Sequence, residues 1–149
     1  MYEVGTILYF TPFYFKDLSL PKPKYFIVLK ILDNGEVALA SLPSSRRHLP
    51  SFAPVIHGCV EIPEACISCY IFEANHPVTD TGWSFPLDSF LYGQYLDTYE
   101  TKILQEIYPI EGVDYDILGK LTEPELEAII RCFANSTSVK RKIKRMLAG

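Results

Sequence analysis

The sequence predicts a mainly β or α+β fold, strand-rich over most of its 149 residues and closed by helices at the C-terminus. Three observations predict it. Ten Tyr, nine Phe and one Trp favour strands, because flat rings pack well on a pleated sheet. Short apolar runs alternate with Pro, Gly, Asn and Asp turn signals, and a helical period appears only after about residue 122. At this length, 48% apolar residues are enough for a continuous core, so residues 1–149 are expected to form a single domain.

The elements follow in order. Val4-Gly5-Thr6-Ile7-Leu8-Tyr9-Phe10 is β-branched and aromatic without helical period and reads as a strand. The turn-rich run Asp17 to Lys24 behind it reads as a loop. Tyr25 to Leu32 is the most apolar stretch and should be a central strand. Asp33-Asn34-Gly35-Glu36 tolerate the left-handed region and should turn it back into Val37-Ala38-Leu39-Ala40. Residues 41–54, rich in Ser, Pro and Arg, suit a long loop, and long loops in compact domains are often functional. Further strands are expected at Gly58 to Ile62 and Ile67 to Glu73, with looser pairing between Trp83 and Tyr99. Helices are expected only at the end. Thr122-Glu123-Pro124-Glu125 has the form of a capping box with Pro in the first turn, followed by Leu126, Ile129, Ile130 and Phe133 on one face. Ser138 is expected to cap a second helix with Val139, Ile143, Met146 and Leu147 as its apolar stripe.

Charge and cysteine content narrow the function classes. The net charge of −4 combines an acidic body with a basic tail containing Lys140, Arg141, Lys142, Lys144 and Arg145. An acidic body repels nucleic acid at long range, so any RNA binding must rest on local basic patches. No apolar run is long enough to span a bilayer, and Met1-Tyr2-Glu3-Val4-Gly5 lacks the order of a signal peptide, so a cytoplasmic protein without membrane partners is expected. Cys59, Cys66, Cys69 and Cys132 are accordingly expected as reduced thiols. His57-x-Cys59 and Cys66-x-x-Cys69 offer zinc-type ligands. If Cys66 to Phe72 is a strand, however, Cys66 and Cys69 face opposite sides, which favours no metal and no other cofactor. No glycine-rich phosphate loop, Gly-x-Ser-x-Gly elbow or His-Glu-x-x-His motif is present.

Gly5-Thr6-Ile7, Thr11-Pro12-Phe13-Tyr14-Phe15 and Asp17-Leu18-Ser19, followed by Lys22-Pro23-Lys24 and the strand from Tyr25, resemble the opening of the MazF/PemK toxin endoribonucleases. Ile117-Leu118-Gly119-Lys120-Leu121-Thr122 and the helix after it resemble the end of that family. The resemblance implies an SH3-like small β-barrel (about 1–118) with terminal helices (about 122–147). It also implies a homodimer that cleaves single-stranded RNA without a metal and is neutralised by an antitoxin protein.

Such cleavage needs a proton acceptor for the 2′-hydroxyl, a proton donor for the leaving oxygen and a fixed cation for the charged transition state. In the family the cation is an Arg, usually followed by Pro; by alignment these positions are Lys24 and Tyr25 here. Lys is a point charge rather than a bidentate fork, so the substitution bears directly on activity. The assisting hydroxyl falls at Ser44 or Ser45, and Lys22, Arg46, Arg47 and His48 are the accompanying candidates for RNA contact. The competing expectation is a catalytically degenerate barrel serving as a protein-binding or regulatory module.

Overall fold

The computed structural model describes residues 2–149 as two antiparallel sheets and three helices. β1 (Thr6–Phe13), β2 (Lys22–Leu32), β3 (Val37–Ser41), β7 (Asp97–Glu100) and β8 (Tyr115–Lys120) make a five-stranded sheet in the order β7-β3-β2-β1-β8. β4 (Gly58–Ile62), β5 (Ile67–Phe72) and β6 (Ser89–Tyr92) make a three-stranded sheet in the order β4-β5-β6. The mainly β, α+β class therefore holds. A single isolated bridge, Ser44 to Phe90, ties the loop after β3 to β6, and among the described residues no strand ladder joins the two sheets.

The unbroken apolar run in β2 is explained by burial on both faces of the sheet. Ile27 and Leu29 point into a core shared with Tyr70, Phe72, Phe85 and the helix residues Ile129 and Phe133. Phe26 and Val28 point the other way, against Leu8, Phe10, Leu104 and Tyr108. The β2–β3 connection is the expected tight one: Asp33, Asn34 and Gly35 all adopt positive φ (52°, 58° and 95°), and the Glu36 N–H donates to the Asp33 carbonyl (3.2 Å). Glycine and Asx residues tolerate that region best.

Three features depart from expectation. A helix, α1 (Thr101–Ile107), lies well before the C-terminus; its N-terminus has no side-chain cap and only Leu104 is buried, so neither a cap nor an apolar stripe announces it. Residues 115–120, of which only 117–120 were matched above as part of a family segment, form β8 (Tyr115–Lys120) on the edge beside β1. The C-terminal pair α2 (Glu123–Ala134) and α3 (Arg141–Ala148) is present, with Ile129, Phe133, Ile143 and Leu147 buried, Leu126, Ile130 and Met146 partly so and Val139 buried just before α3, but Ser138 does not cap α3. Its backbone N–H donates to Ser136 Oγ (3.0 Å), and Lys140 occupies the N-cap position without a side-chain bond.

The cysteines give a further correction. Cys59 on β4 and Cys132 on α2 are joined by a disulfide that closes a separation of 73 residues, so these two are not reduced thiols. α2 packs across β4 and β5 and brings their Cα atoms to 5.6 Å, a proximity that depends on tertiary structure and leaves no local sequence trace. The strand expected from Cys66 begins one residue later, at Ile67: Cys66 is exposed on the turn before β5 with φ 54°, and Cys69 is buried within the strand, so the two-faced strand argument does not apply to this pair. Burial pushes the Cys69 thiol up to about 12. No helix among the described residues is long and apolar enough to cross a membrane.

Candidate cationic groove

Two adjoining segments build the groove. Lys22 and Lys24 stand at the start of β2, where β1 pairs with them through Phe13↔Lys22 and Phe10↔Lys24. The register shift between Phe10 and Phe13 opens the sheet at its end. Opposite lies the loop after β3. Ser44 is fixed by reciprocal backbone bonds with Phe90 (3.0 and 2.7 Å). The buried Tyr92 hydroxyl then donates to the Arg46 carbonyl and accepts from the His48 N–H, both at 2.7 Å. One phenol from β6 thus holds residues 46 and 48 together.

The structure brings most of the predicted site residues to one place. Lys22, Lys24, Ser44, Arg46 and His48 line a cavity of about 780 Å³. Ser45 faces a smaller depression of about 320 Å³ beside it, with Lys22, Lys24, Ser44 and Arg46 forming the shared ridge. Arg47 is placed elsewhere: its guanidinium donates to the carbonyls of Pro50 (3.0 Å) and Ala53 and closes the loop rather than facing the groove. Lys16 and Lys140 also line the larger cavity and were not among the sequence candidates. Lys140 reaches it because the chain between α2 and α3 turns back toward β2, which only the fold reveals.

The electrostatics are lopsided. The groove carries Lys16, Lys22, Lys24, Arg46 and Lys140 against the carboxylates of Asp17 and Asp97. Asp97 is already paired with Lys16 at 3.0 Å, and Asp17 accepts from its own loop at Ser19 N–H (3.0 Å) and Oγ–H (2.7 Å). Lys22, Lys24 and Arg46 have no carboxylate partner within 4 Å among the described residues. The Lys24 ammonium lies half-buried with one long bond to the Pro43 carbonyl (3.3 Å). Desolvation lowers its pKa, and the nearby Lys22 and Arg46 charges lower it further. An anion seated between these three groups relieves both penalties.

The hydroxyls differ in readiness. Ser44 Oγ accepts from the Arg46 N–H at 3.1 Å, which leaves its own hydrogen free to donate. His48 is exposed, with its ring tilted against Tyr92 at 5.6 Å. On the apolar side, Phe13, Phe15, Leu20, Leu42 and Tyr95 form the walls. Tyr9 packs against Tyr25 and lines the smaller depression, whereas Trp83 packs with Tyr25 and Phe85. Comparison with protein-family models, with curated proteins and with solved structures gives no match.

Proposed function

We propose that this groove binds the phosphate backbone of single-stranded RNA, and that the chain is a metal-independent endoribonuclease toxin of the MazF/PemK kind. The observation that carries the reading is the convergence of Lys22, Lys24 and Arg46, without a carboxylate partner, beside a loop that also supplies Ser44, Ser45 and His48. Half-burying a cation against two others is costly unless an anion completes the group. In this reading the two sheets are the halves of an SH3-like barrel, and the groove lies where the loop after β3 faces the end of the five-stranded sheet.

The roles follow from the chemistry. Lys24 and Arg46 offset charge on the pentavalent phosphorus, Arg46 supplying the planar fork that Lys24 lacks. The Ser44 hydroxyl donates to a non-bridging oxygen, and Ser45 contacts the neighbouring phosphate from the smaller depression. His48, in the same loop, takes the 2′-hydroxyl proton as that oxygen bonds to phosphorus; the P–O5′ bond breaks and the leaving 5′-oxygen takes a proton from water in the open groove. Lys22 and Lys140 extend the track along the strand, while Phe15 and Tyr95 offer faces on which bases stack. The antitoxin is expected to enter the same groove as an acidic extended or helical segment. The homodimer belongs to the same proposal, and so does the cytoplasmic setting, against which the Cys59–Cys132 disulfide counts.

A second reading, a degenerate barrel that binds a protein segment, is favoured by Lys24 at the family's Arg position and by the groove's apolar wall. End-group analysis separates the two. Wild-type protein in EDTA is incubated with a long single-stranded RNA beside Ser44→Ala, Ser45→Ala and Lys24→Ala. Fragments ending in 2′,3′-cyclic phosphate, lost with Lys24→Ala and slowed by one serine variant, support the nuclease. Intact RNA with well-folded wild type leaves the binding module.

A further inference from the structure

We infer that His57, His76 and Glu125, on the opposite side of β5 from the groove loop, form a binding site for a divalent transition-metal ion of the zinc class. Three separate segments bring them together: the loop before β4, the loop after β5 and the first turn of α2. One donor atom from each lies within 4.8 Å of the other two. His57 Nε2 stands 3.0 and 3.1 Å from the two Glu125 carboxylate oxygens. Neighbouring ligands of a tetrahedral zinc with bonds of ~2.0–2.1 Å are separated by about 3.4 Å, so this pair needs only a small outward shift to admit the ion.

The surroundings favour a ligand role for Glu125. In a complete capping box the third-position Glu reaches back to the N-cap N–H. Here the Thr122 N–H is already bonded to the Val78 carbonyl (3.1 Å), and the carboxylate turns inward to His57 and the Tyr70 hydroxyl. Tyr70 donates to Oε2 and holds the carboxylate as an outer-sphere partner of a metal ligand does. The His57 backbone N–H donates to the Glu73 carboxylate at 2.7 Å, which fixes the main chain at the first ligand.

Occupancy requires two adjustments. The Glu73 N–H donates to His57 Nδ1 at 3.2 Å, so in the metal-free neutral ring Nε2 carries the proton. The ion replaces that proton at Nε2, the ring takes the Nδ1–H tautomer, and this long bond is given up. His76 now stacks on His57 with centroids 3.8 Å apart and planes inclined by 19°. Parallel rings do not aim their in-plane lone pairs at one point, so His76 turns out of the stack, which its exposed position permits. Two imidazoles and a carboxylate then leave the fourth position to water. The lost hydrogen bond and lost stack make the affinity weaker than that of a site whose ligands are already aimed at the ion.

The test uses cobalt(II) as a visible probe and zinc(II) by calorimetry. The protein is stripped with EDTA and desalted, and Cys66→Ser removes the exposed thiol as a competing ligand. The expected result is one equivalent of cobalt with visible d–d bands and no thiolate charge-transfer band, displaced by one equivalent of zinc. His76→Ala, at an exposed position that folding tolerates, weakens binding tenfold or more, as does Glu125→Gln, which keeps the hydrogen bond with Tyr70; Tyr70→Phe weakens it by a smaller factor. Absence of cobalt uptake, or unchanged binding in both His76→Ala and Glu125→Gln, overturns the proposal. RNA cleavage in EDTA is indifferent to either outcome.

Discussion

At the scale of single residues, Lys24 is the point where stability and proposed function pull apart. Its folded-state pKa lies below the ordinary lysine value because burial and the Lys22 and Arg46 charges disfavour the ammonium. Between the folded and unfolded pKa values the unfolded chain binds more protons, so stability rises with pH through that window. Below it the charged side chain costs the full amount. Lys24→Met keeps the apolar stem, loses one long bond of 3.3 Å, and is expected to melt higher than wild type at pH 7. The advantage should shrink as the pH is raised toward the ordinary lysine range. Thermal unfolding across pH checks this, and a variant less stable than wild type at pH 7 contradicts it. The same residues mark how far the site was legible. Lys22, Lys24, Ser44, Ser45, Arg46 and His48 were named through the family resemblance, and the structure sets them along one groove and the depression beside it. Arg47 could not be separated from Arg46, because only the positions of the Pro50 and Ala53 carbonyls decide which guanidinium closes the loop.

At the scale of elements, what propensity and turn chemistry govern was readable, and what depends on distant packing was not. The β2–β3 hairpin, β4, β5 and α2 stand within a few residues of expectation, each announced by its own apolar period and turn signals. α1 and β8 are short or edge elements whose form depends on the surface they cover. The disulfide is the clearest case, since its two cysteines lie 73 residues apart. Reducing it frees a loop of that length in the unfolded chain, an entropic effect of about 4 kcal/mol at most. Denaturant unfolding with and without reductant, or of Cys59→Ser, should show a loss of ~2–4 kcal/mol, and equal midpoints would contradict the link's role. The turn after β6 offers a second probe. A Cβ at Gly93 would lie 2.8 Å from Val139 Cγ2 and 3.3 Å from Phe133 Cδ1, so β6 and the α2–α3 pair approach as closely as a glycine allows. Gly93→Ala is therefore expected to cost ~1–3 kcal/mol by overpacking, read from the same denaturation curves.

At the scale of the whole molecule, two sheets share one core with α2 and α3, and the second face of the larger sheet is covered by α1 and the aromatic cluster around Phe10 and Tyr108. That doubly covered sheet leaves its open end, where β1 shifts register and the loop after β3 crosses, as the place where charge gathers. On the proposed reading, the acidic body and the local cationic groove let the protein attract polyanions only at short range, with binding that should weaken steeply with salt. The central claim is that this groove receives single-stranded RNA, and it can be tested whether or not the chain is catalytically active. Isotope-labelled protein is titrated with a short single-stranded RNA methylated at every 2′-oxygen so that it cannot be cleaved, and backbone amide shifts are mapped. The account predicts shifts concentrated on Lys22, Lys24, residues 44–48, Tyr95 and Lys140, with affinity reduced about tenfold by Lys24→Ala (~1.4 kcal/mol). Shifts centred on another face, or none at low salt, would contradict it.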